Sequence, residues 1–294
     1  MYEELIQGAY DLHVHSAPDV MPRKMDDLEM AERILKSGMK GFAMKSHYFC
    51  TADRASLINK LYPGVNAVGT ITFNNAVGGL NPVAMEMAAR AGAKLVWMPT
   101  CDATNEQGFL KANQYSKLPY WAKLQMELIE QGIATTSVSL LEDGKLKKEV
   151  YDILDTIAKF NIILTTGHIG KEETCALVKE AVKRNVKKII VTHPDFPSTY
   201  YTKEEQKELV DLGAYMEHCF TTPYTNKTTW ENVFEQIRYV GPEHCTLATD
   251  LGQPVNPYPD EGLLMFATKL VENGFTKEEV KQMTIVNPTQ LVEG

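Results

Sequence analysis

The segment AYDLHVHSAPD (residues 9–19) places two histidines two positions apart at the end of a short apolar run. In an extended strand, residues i and i+2 point to the same face, so His13 and His15 are expected about 6.6 Å apart along the strand. One metal ion can bind two imidazoles at such a spacing. The segment therefore predicts a strand that presents a pair of metal ligands at its end.

Beyond this segment, β-rich runs alternate with amphipathic stretches. The runs interpreted as strands are AYDLHV (9–14), KGFAMKS (40–46), VNAVGTITF (65–73), KLVWMP (94–99), NIILTT (161–166), KKIIVT (187–192), AYMEHC (214–219) and CTLAT (245–249). Strands that alternate with helices indicate a parallel sheet with helical crossovers. Eight such units in 294 residues predict an α/β fold, a single (β/α)8 TIM-barrel domain over residues 1–294.

Two segments fall outside this alternation. Residues 132–148 contain an Asp-Gly pair between extended runs, which predicts a β-hairpin insertion. Residues 100–121 are rich in Asn, Gln, Tyr and Gly, and we expect a long loop after the fourth strand. Tyr115, Tyr120 and Trp121 make this loop a candidate lid.

Composition limits the possible partners. The chain has a net charge of −8 without clustered basic residues, which disfavours nucleic-acid binding. No apolar run is long enough for a membrane span, and the start lacks the pattern of a secretory leader, so we expect no membrane partner and a cytoplasmic location. The five cysteines lack paired spacing, as is typical of reduced thiols. We expect a small-molecule substrate and consider a homo-oligomer possible.

Polar residues gather where the predicted strands end. These residues are His13, His15, Lys45, His47, His168, His193, Glu217, His218 and Asp250. Taken alone, His168 could hydrogen-bond a loop, Asp250 could cap a helix and Lys45 could extend to solvent. However, active sites of TIM barrels lie at the carboxyl ends of the strands, and six of the seven histidines fall there. The combination predicts a metal site. Pro194 is expected to hold the preceding His193 in extended geometry.

This arrangement resembles the amidohydrolase superfamily of metal-dependent hydrolases, over essentially the whole chain. The resemblance implies a TIM barrel with His13, His15, His168, His193 and Asp250 as ligands of one or two divalent ions. Zinc is the expected metal, with manganese, nickel or iron as alternatives. The tail MTIVNPTQLVEG also resembles a closing element of these enzymes. The runs KSHY, TGHIGKEET, VTHPDF and ATDLGQPVNPYPDEG resemble an uncharacterised prokaryotic branch, which implies no particular substrate.

One feature departs from the superfamily pattern. The fourth strand ends VWMPTCDATN, without the Lys or Glu that bridges two metals in these enzymes. Either the site holds one metal or the bridge comes from elsewhere. Lys45 is our preferred substitute, since a buried neutral lysine can take up carbon dioxide as an anionic carbamate. Cys101, Asp102 and Glu217 are weaker candidates.

The resemblance also implies a reaction in which metal-activated water attacks a carbonyl group. Asp250 is the expected general base, and His193 or His218 is expected to hold the oxyanion. Candidate substrate contacts are His47, Asn74, Arg54 and Glu217. Amides, cyclic imides, lactones and esters all remain open as substrates.

Two alternatives remain. The first is a metallophosphoesterase of the polymerase and histidinol phosphatase (PHP) type, because DLHVHS and His47 also resemble motifs of that family. Its closing Asp-x-His element is missing, since Leu251 and Gly252 follow Asp250. The second is a barrel that keeps metal without catalysis, against which an intact Asp250 argues.

Overall fold

The computed structural model describes residues 2–133 and 136–294 and contains a ring of parallel strands. The strands are β1 (Tyr10–Val14), β2 (Gly41–Met44), β3 (Asn66–Val68), β4 (Thr70–Thr72), β5 (Leu95–Trp97), β6 (Leu141–Glu142), β7 (Lys145–Leu146), β8 (Ile163–Thr165), β9 (Ile189–Thr192), β10 (Ala214–Cys219) and β11 (Cys245–Ala248). Parallel pairing gives the orders β1-β2-β3 and β4-β5-β8-β9-β10-β11. Because β3 and β4 are consecutive parts of the predicted third strand, these form eight strand positions.

The ring closes between the last strand and the first. Asp250 N donates to the His13 carbonyl and His15 N donates to the Leu251 carbonyl, each at 2.8 Å. Below these bonds, the buried Asp11 carboxylate accepts from the hydroxyl and backbone N–H of Thr249, at 2.5 and 3.0 Å. The predicted eight-stranded barrel is confirmed.

The third predicted strand is interrupted at Gly69. A Cβ atom at this position would lie 2.5 Å from the Cα of Ala52, because the first turn of a helix packs directly on the strand. The backbone therefore pairs with β2 before the glycine and with β5 after it. Sequence alternation alone does not reveal such a close approach.

The helices lie between successive strands or follow the last one. They are α1 (Asp27–Ser37), α2 (Ala52–Leu61), α3 (Pro82–Arg90), α4 (Thr104–Lys111), α5 (Ala122–Glu130), α6 (Lys148–Phe160), α7 (Lys171–Lys183), α8 (Lys203–Asp211), α9 (Thr221–Tyr224), α10 (Trp230–Val240), α11 (Pro259–Glu272), α12 (Lys277–Lys281) and α13 (Asn287–Glu293). Asp26 closes a capping box on α1, which fixes the chain direction after the first strand.

Two apolar clusters lie on the two faces of the strands. The inner cluster consists of Tyr10, Leu12, Ala43, Val68, Leu95, Trp97, Ile163, Ile190 and Leu291. The larger outer cluster packs the alternate strand residues, such as Val96 and Val191, against the helices. Apolar side chains thus fill the amino end of the barrel and leave its carboxyl end to polar residues.

A register shift in β1 lets this strand contribute side chains both to the inner apolar cluster and to the polar carboxyl end of the barrel. The step from Asp11 to Val14 on β1 faces a shorter step on β2, which is a β-bulge. Leu12 joins the inner cluster, and the ring of its neighbour His13 lies 5.3 Å from the inner Trp97 ring. Two adjacent side chains therefore point inward, which strict alternation forbids.

The predicted hairpin is present as β6 and β7, which pair antiparallel around Asp143 and Gly144. Both turn residues have positive φ, 49° and 74°, as a two-residue hairpin turn requires. Residues 134 and 135 of the predicted insertion lie outside the described residues.

The prediction of a continuous loop over residues 100–121 was wrong, because helix α4 lies within it. The buried residues of α4 are Glu106 and Gln107, so this helix lacks the apolar stripe that normally reveals a helix in the sequence. Within the described parts of the chain, no helix combines the length and apolarity that a membrane crossing requires.

Candidate metal centre

His13 of β1, His15 directly after that strand and Asp250 after β11 meet at the carboxyl end of the barrel. Asp250 Oδ1 lies 3.2 Å from His13 Nε2 and 3.1 Å from His15 Nε2. Ligand atoms that share one tetrahedral zinc ion lie about 3.3 Å apart. The spacing of these three atoms therefore fits a common divalent cation.

The hydrogen bonds of His13 support the same conclusion. Its Nδ1 lies 3.0 Å from Glu217 Oε2, so the single proton of a neutral ring belongs on Nδ1 and a lone pair remains on Nε2. This lone pair faces the anionic oxygen of Asp250. Such a contact needs either a second proton on the ring or a cation beside it. Although burial opposes it, Glu217 and Asp250 raise the pKa of His13, so a bound metal would take the place of that second proton.

The side-chain nitrogen of Lys45 also lies beside His13 Nε2. Its ammonium lies 2.7 Å from His13 Nε2 and 5.0 Å from the centre of the Trp97 ring. The side chain is almost fully buried, and burial lowers its pKa from the ordinary lysine value. Lys45 therefore lies next to the candidate ligands.

His168 and His193 complete a ring of imidazoles around the site. The His193 ring lies 5.0 Å from that of His13 and 5.3 Å from that of His168. Both side chains are buried, and among the described residues neither His168 Nε2 nor His193 Nδ1 has a hydrogen-bond partner. Unpaired buried nitrogens of this kind are available to bind a metal or a substrate.

His193 reaches the site through an unusual backbone conformation. Its φ is +47°, so the expectation that Pro194 holds it in extended geometry was wrong. Alternation along β9 would give Thr192, not His193, the inner position. The left-handed conformation turns His193 inward instead, and such strain is common at functional sites.

Asp250 has the same backbone feature, with φ +53°. Thr221 Oγ1 donates to its Oδ2 at 3.0 Å, which directs Oδ1 to His13 and His15. Burial alone would raise the pKa of Asp250, but His13 and His15 hold it well below its usual range. Asp250 is therefore an anion at neutral pH.

Burial has the opposite effect on the four imidazoles around His13. It lowers the pKa of His15, His47 and His193 well below the usual histidine value, and it lowers the pKa of His168. Neutral imidazole is the form that binds metals.

A cavity of about 450 Å³ opens onto this cluster. It is lined by His15, Met21, Arg23, Lys45, His47, Pro119, Tyr120, Trp121, His168, His193, Phe196, Lys227, Asp250 and Gln253. The predicted lid residues Tyr120 and Trp121 thus border the cavity, whereas Tyr115 bonds to Glu106 beneath it.

Two of the predicted site residues, His218 and Arg54, contact groups outside the candidate metal centre. His218 lies on the outer face of β10, where its Nδ1 is 3.4 Å from Asp195, because alternation gives the inner face to Glu217. Arg54 binds the carboxylate of Asp27 through two nitrogens, at 2.7 and 2.8 Å.

Asn74 and Glu217 hold other parts of the site in place. The Asn74 amide connects the His47 carbonyl with the hydroxyl and N–H of Thr100, and His47 Nδ1 lies 2.8 Å from the same hydroxyl. Glu217 supports His13 from the barrel interior. His47, in contrast, lines the cavity and stacks on His15 with ring centres 4.9 Å apart.

Several residues at the site were not predicted. Glu106 Oε2 lies 3.2 Å from His168 Nδ1, Arg23 lies 3.3 Å from His15 Nδ1, and Lys227 lines the cavity. All three lie on segments that follow strands, which is the signal that could have found them. The sequence does not predict where these side chains point, because loop conformation leaves no periodic pattern of residues.

Several solved structures with the same fold are hydrolases. An amidohydrolase from Pseudomonas aeruginosa has 11% identity and a TM-score of 0.60, over 99% of this chain and 98% of that chain. The metallopeptidase dipeptidase AC has 10% identity and a TM-score of 0.59, over 97% and 98%. An organophosphorus hydrolase from Deinococcus radiodurans has 12% identity and a TM-score of 0.56, over 97% and 92%. The amidohydrolase-type fold predicted from the sequence is confirmed.

At the level of sequence, the comparison with curated proteins found no match. Residues 8–217 match the model of DUF6282, described as a family of unknown function. The matched segment carries His13, His15, Lys45, His168 and His193, and Asp250 lies beyond it. Because this match covers most of the chain, the protein belongs to the DUF6282 family.

Proposed function

We propose that this protein is a metal-dependent hydrolase in which activated water attacks the carbonyl carbon of a small molecule, with residues 1–294 acting as one domain. The observation that carries the proposal is the contact of a single oxygen, Asp250 Oδ1, with Nε2 of both His13 and His15. The unpaired nitrogens of His168 and His193 extend the same donor set.

The residues that would hold the cation are His13, His15, His168, His193 and Asp250. Zinc, or alternatively manganese, nickel or iron, would make a water molecule acidic enough to ionise near neutral pH and would polarise a carbonyl oxygen. One or two ions are compatible with this number of ligands.

Asp250 is the proposed general base. Oδ1 would bind the cation beside His13 and His15, so Oδ2, which also accepts from Thr221, is the oxygen that takes a proton from the attacking water and returns it to the leaving nitrogen or oxygen. His193, on the cavity wall, either binds a second ion or donates to the oxyanion, whereas His218 faces Asp195. The carbonyl substrate is an amide, cyclic imide, lactone or ester.

Lys45 is the proposed further ligand. Its neutral amine would attack the carbon of carbon dioxide and lose one proton, which gives an anionic carbamate next to His13. Burial of Lys45 favours the neutral amine. Metal counting on Lys45→Ala protein tests this step, since unchanged stoichiometry would exclude Lys45 as a ligand.

The decisive experiment is elemental analysis of protein purified without chelator, followed by a hydrolase panel with added zinc, manganese or nickel. We expect at least one bound ion and turnover of a carbonyl substrate, both lost in His15→Ala. His244→Ala is the matched control, because His244 lies in an exposed turn beside Glu243.

Other outcomes favour the alternatives. His47 lines the cavity beside His15, and this observation supports a PHP-type phosphoesterase as the alternative function. Three bound metals with release of phosphate from a generic ester would establish that activity. Bound metal without turnover of any panel member would favour a binding barrel.

A further inference from the structure

A second cavity of about 580 Å³ adjoins the cavity at the candidate metal centre. Its lining residues are Lys117, Leu118, Pro119, Tyr120, Thr221, Thr225, Lys227, Asp250, Gln253, Val255 and Asn256. Five of these also line the first cavity: Pro119, Tyr120, Lys227, Asp250 and Gln253. The two spaces therefore meet at Asp250 and Lys227, and a ligand reacting beside Asp250 would extend past Lys227 into the second cavity.

Within the described parts of the chain, Lys227 has no ion-pair or hydrogen-bond partner, and Asp250 and Glu106 act on its charge only from a greater distance. Its ammonium lies 4.5 Å from the centre of the Phe196 ring. Among the described residues, no carboxylate oxygen lies within 4.0 Å of it and no hydrogen bond from it is found. Burial lowers the pKa of Lys227 from its ordinary value. A partly buried ammonium is costly unless an anion or a polar group faces it.

The other two basic side chains of the first cavity already have partners. Arg23 binds Asp19 at 2.6 Å, and this ion pair is almost fully buried. Lys45 contacts His13 Nε2 at 2.7 Å. Lys227 is therefore the positive group of this cavity that remains available to a ligand.

We propose that Lys227 binds a carboxylate of the substrate, so that the substrate class is a carboxylate-bearing amide, imide, lactone or ester. This inference rests on the proposed hydrolase function for the position of the reacting carbonyl. A single ammonium matches a singly charged carboxylate, whereas a phosphate group usually meets several donors or an arginine fork.

The second cavity favours a substrate that also carries a hydrocarbon segment. Leu118 and Val255 line it and are 43% and 88% exposed. Apolar side chains at this position give an aliphatic part of the ligand a surface to cover. The expected substrate therefore carries its carboxylate near the junction and an apolar portion toward the rim.

The test measures equilibrium binding of succinate, glutarate and adipate to the zinc-loaded full chain by titration calorimetry. In each probe, one carboxylate takes the place of the reacting carbonyl and the other reaches toward Lys227. We expect the best of the three to bind wild-type protein at least 10-fold more tightly than it binds Lys227→Met. Methionine keeps the apolar stem over Phe196, so packing is retained and only the charge is lost.

Two controls separate the local charge from other effects. Lys227→Arg should bind within about threefold of wild type. Lys187→Ala removes an exposed lysine at the opposite end of the barrel and should bind like wild type. Equal affinity of Lys227→Met and wild type for all three probes, equally tight binding of the matching neutral diamides, or no binding to wild type would each overturn the proposal.

The readout also distinguishes this inference from the proposed function. A charge-dependent loss of binding in Lys227→Met, in a protein that hydrolyses no carbonyl substrate, would retain the anion site and reject the hydrolase. Turnover of neutral esters with no effect of Lys227→Met on any probe would retain the hydrolase and reject the anion site.

Discussion

Nδ1 of His13 lies 3.0 Å from Oε2 of Glu217 within the barrel, while Nε2 of the same ring faces Asp250. A carboxylate that accepts a hydrogen bond from the ring N–H fixes the tautomer and makes the other nitrogen a better metal ligand. Glu217 is thus a positioning residue for the proposed metal site.

Replacement of Glu217 by Gln is expected to weaken metal binding by about 10- to 100-fold. The amide oxygen can still accept from Nδ1, but the negative charge that strengthens the ligand is lost. Competition for zinc with a chromogenic chelator measures the change. Glu180→Gln, on the surface helix α7, is the control and should bind metal like wild type. Unaltered zinc affinity in the Glu217 variant would assign this carboxylate to folding alone.

Asp250→Asn is expected to lower kcat by a factor of about 10² to 10⁴, the usual contribution of a general base. Asparagine is nearly the same size and can still accept a hydrogen bond from Thr221, so the barrel should fold. The measurement is steady-state kinetics on the substrate found in the panel, with metal content determined on the same samples. Full turnover by the metal-loaded variant would remove Asp250 from its proposed role as base.

Removal of metal is expected to destabilise the folded chain. A ligand present at about 100 times its Kd stabilises the native state by about 2.7 kcal/mol. For a chain of 294 residues, that corresponds to a Tm shift of about 4 to 5 °C. Thermal unfolding with excess chelator or with added zinc measures it. Wild type should show the shift and His15→Ala should lose most of it; equal shifts in both proteins would place the bound ion elsewhere.

The sequence was sufficient for the barrel because each strand carries its own local signal. Short β-rich runs and the Asp143-Gly144 turn both indicate structure through a few neighbouring residues. The convergence of histidines also followed from chain order, since parallel strands bring their carboxyl ends together.

Other features depend on contacts between distant segments or on single backbone angles. The bulge that turns His13 inward is a register shift against β2, and the inward direction of His193 results from one positive φ. In both places, the side chain points to the face opposite the one that strict alternation predicts. Helix α4 has a polar buried face around Glu106, so no hydrophobic period reports it. His218, by contrast, was predictable, because alternation along β10 assigns it to the face opposite Glu217.

Gly167 offers a final test of how the backbone positions His168. Its φ is +61°, and an added Cβ would lie 2.3 Å from the Met98 carbonyl oxygen and 2.6 Å from that of Pro99. The next residue donates its N–H to the same Pro99 oxygen at 2.9 Å. The methyl group of alanine would therefore push apart the backbone that holds His168.

We expect Gly167→Ala to reduce the free energy of unfolding by about 2 to 4 kcal/mol, from strain at positive φ together with the backbone clash. Gly92→Ala is the matched control, because Gly92 has φ +97° but no atom within 4 Å of the added Cβ. The control should lose only the conformational part, about 1 to 2 kcal/mol, and keep its zinc affinity. Urea unfolding and zinc titration of both variants measure these differences. If Gly167→Ala were as stable and bound zinc as tightly as Gly92→Ala, the close approach to Met98 and Pro99 would not position His168.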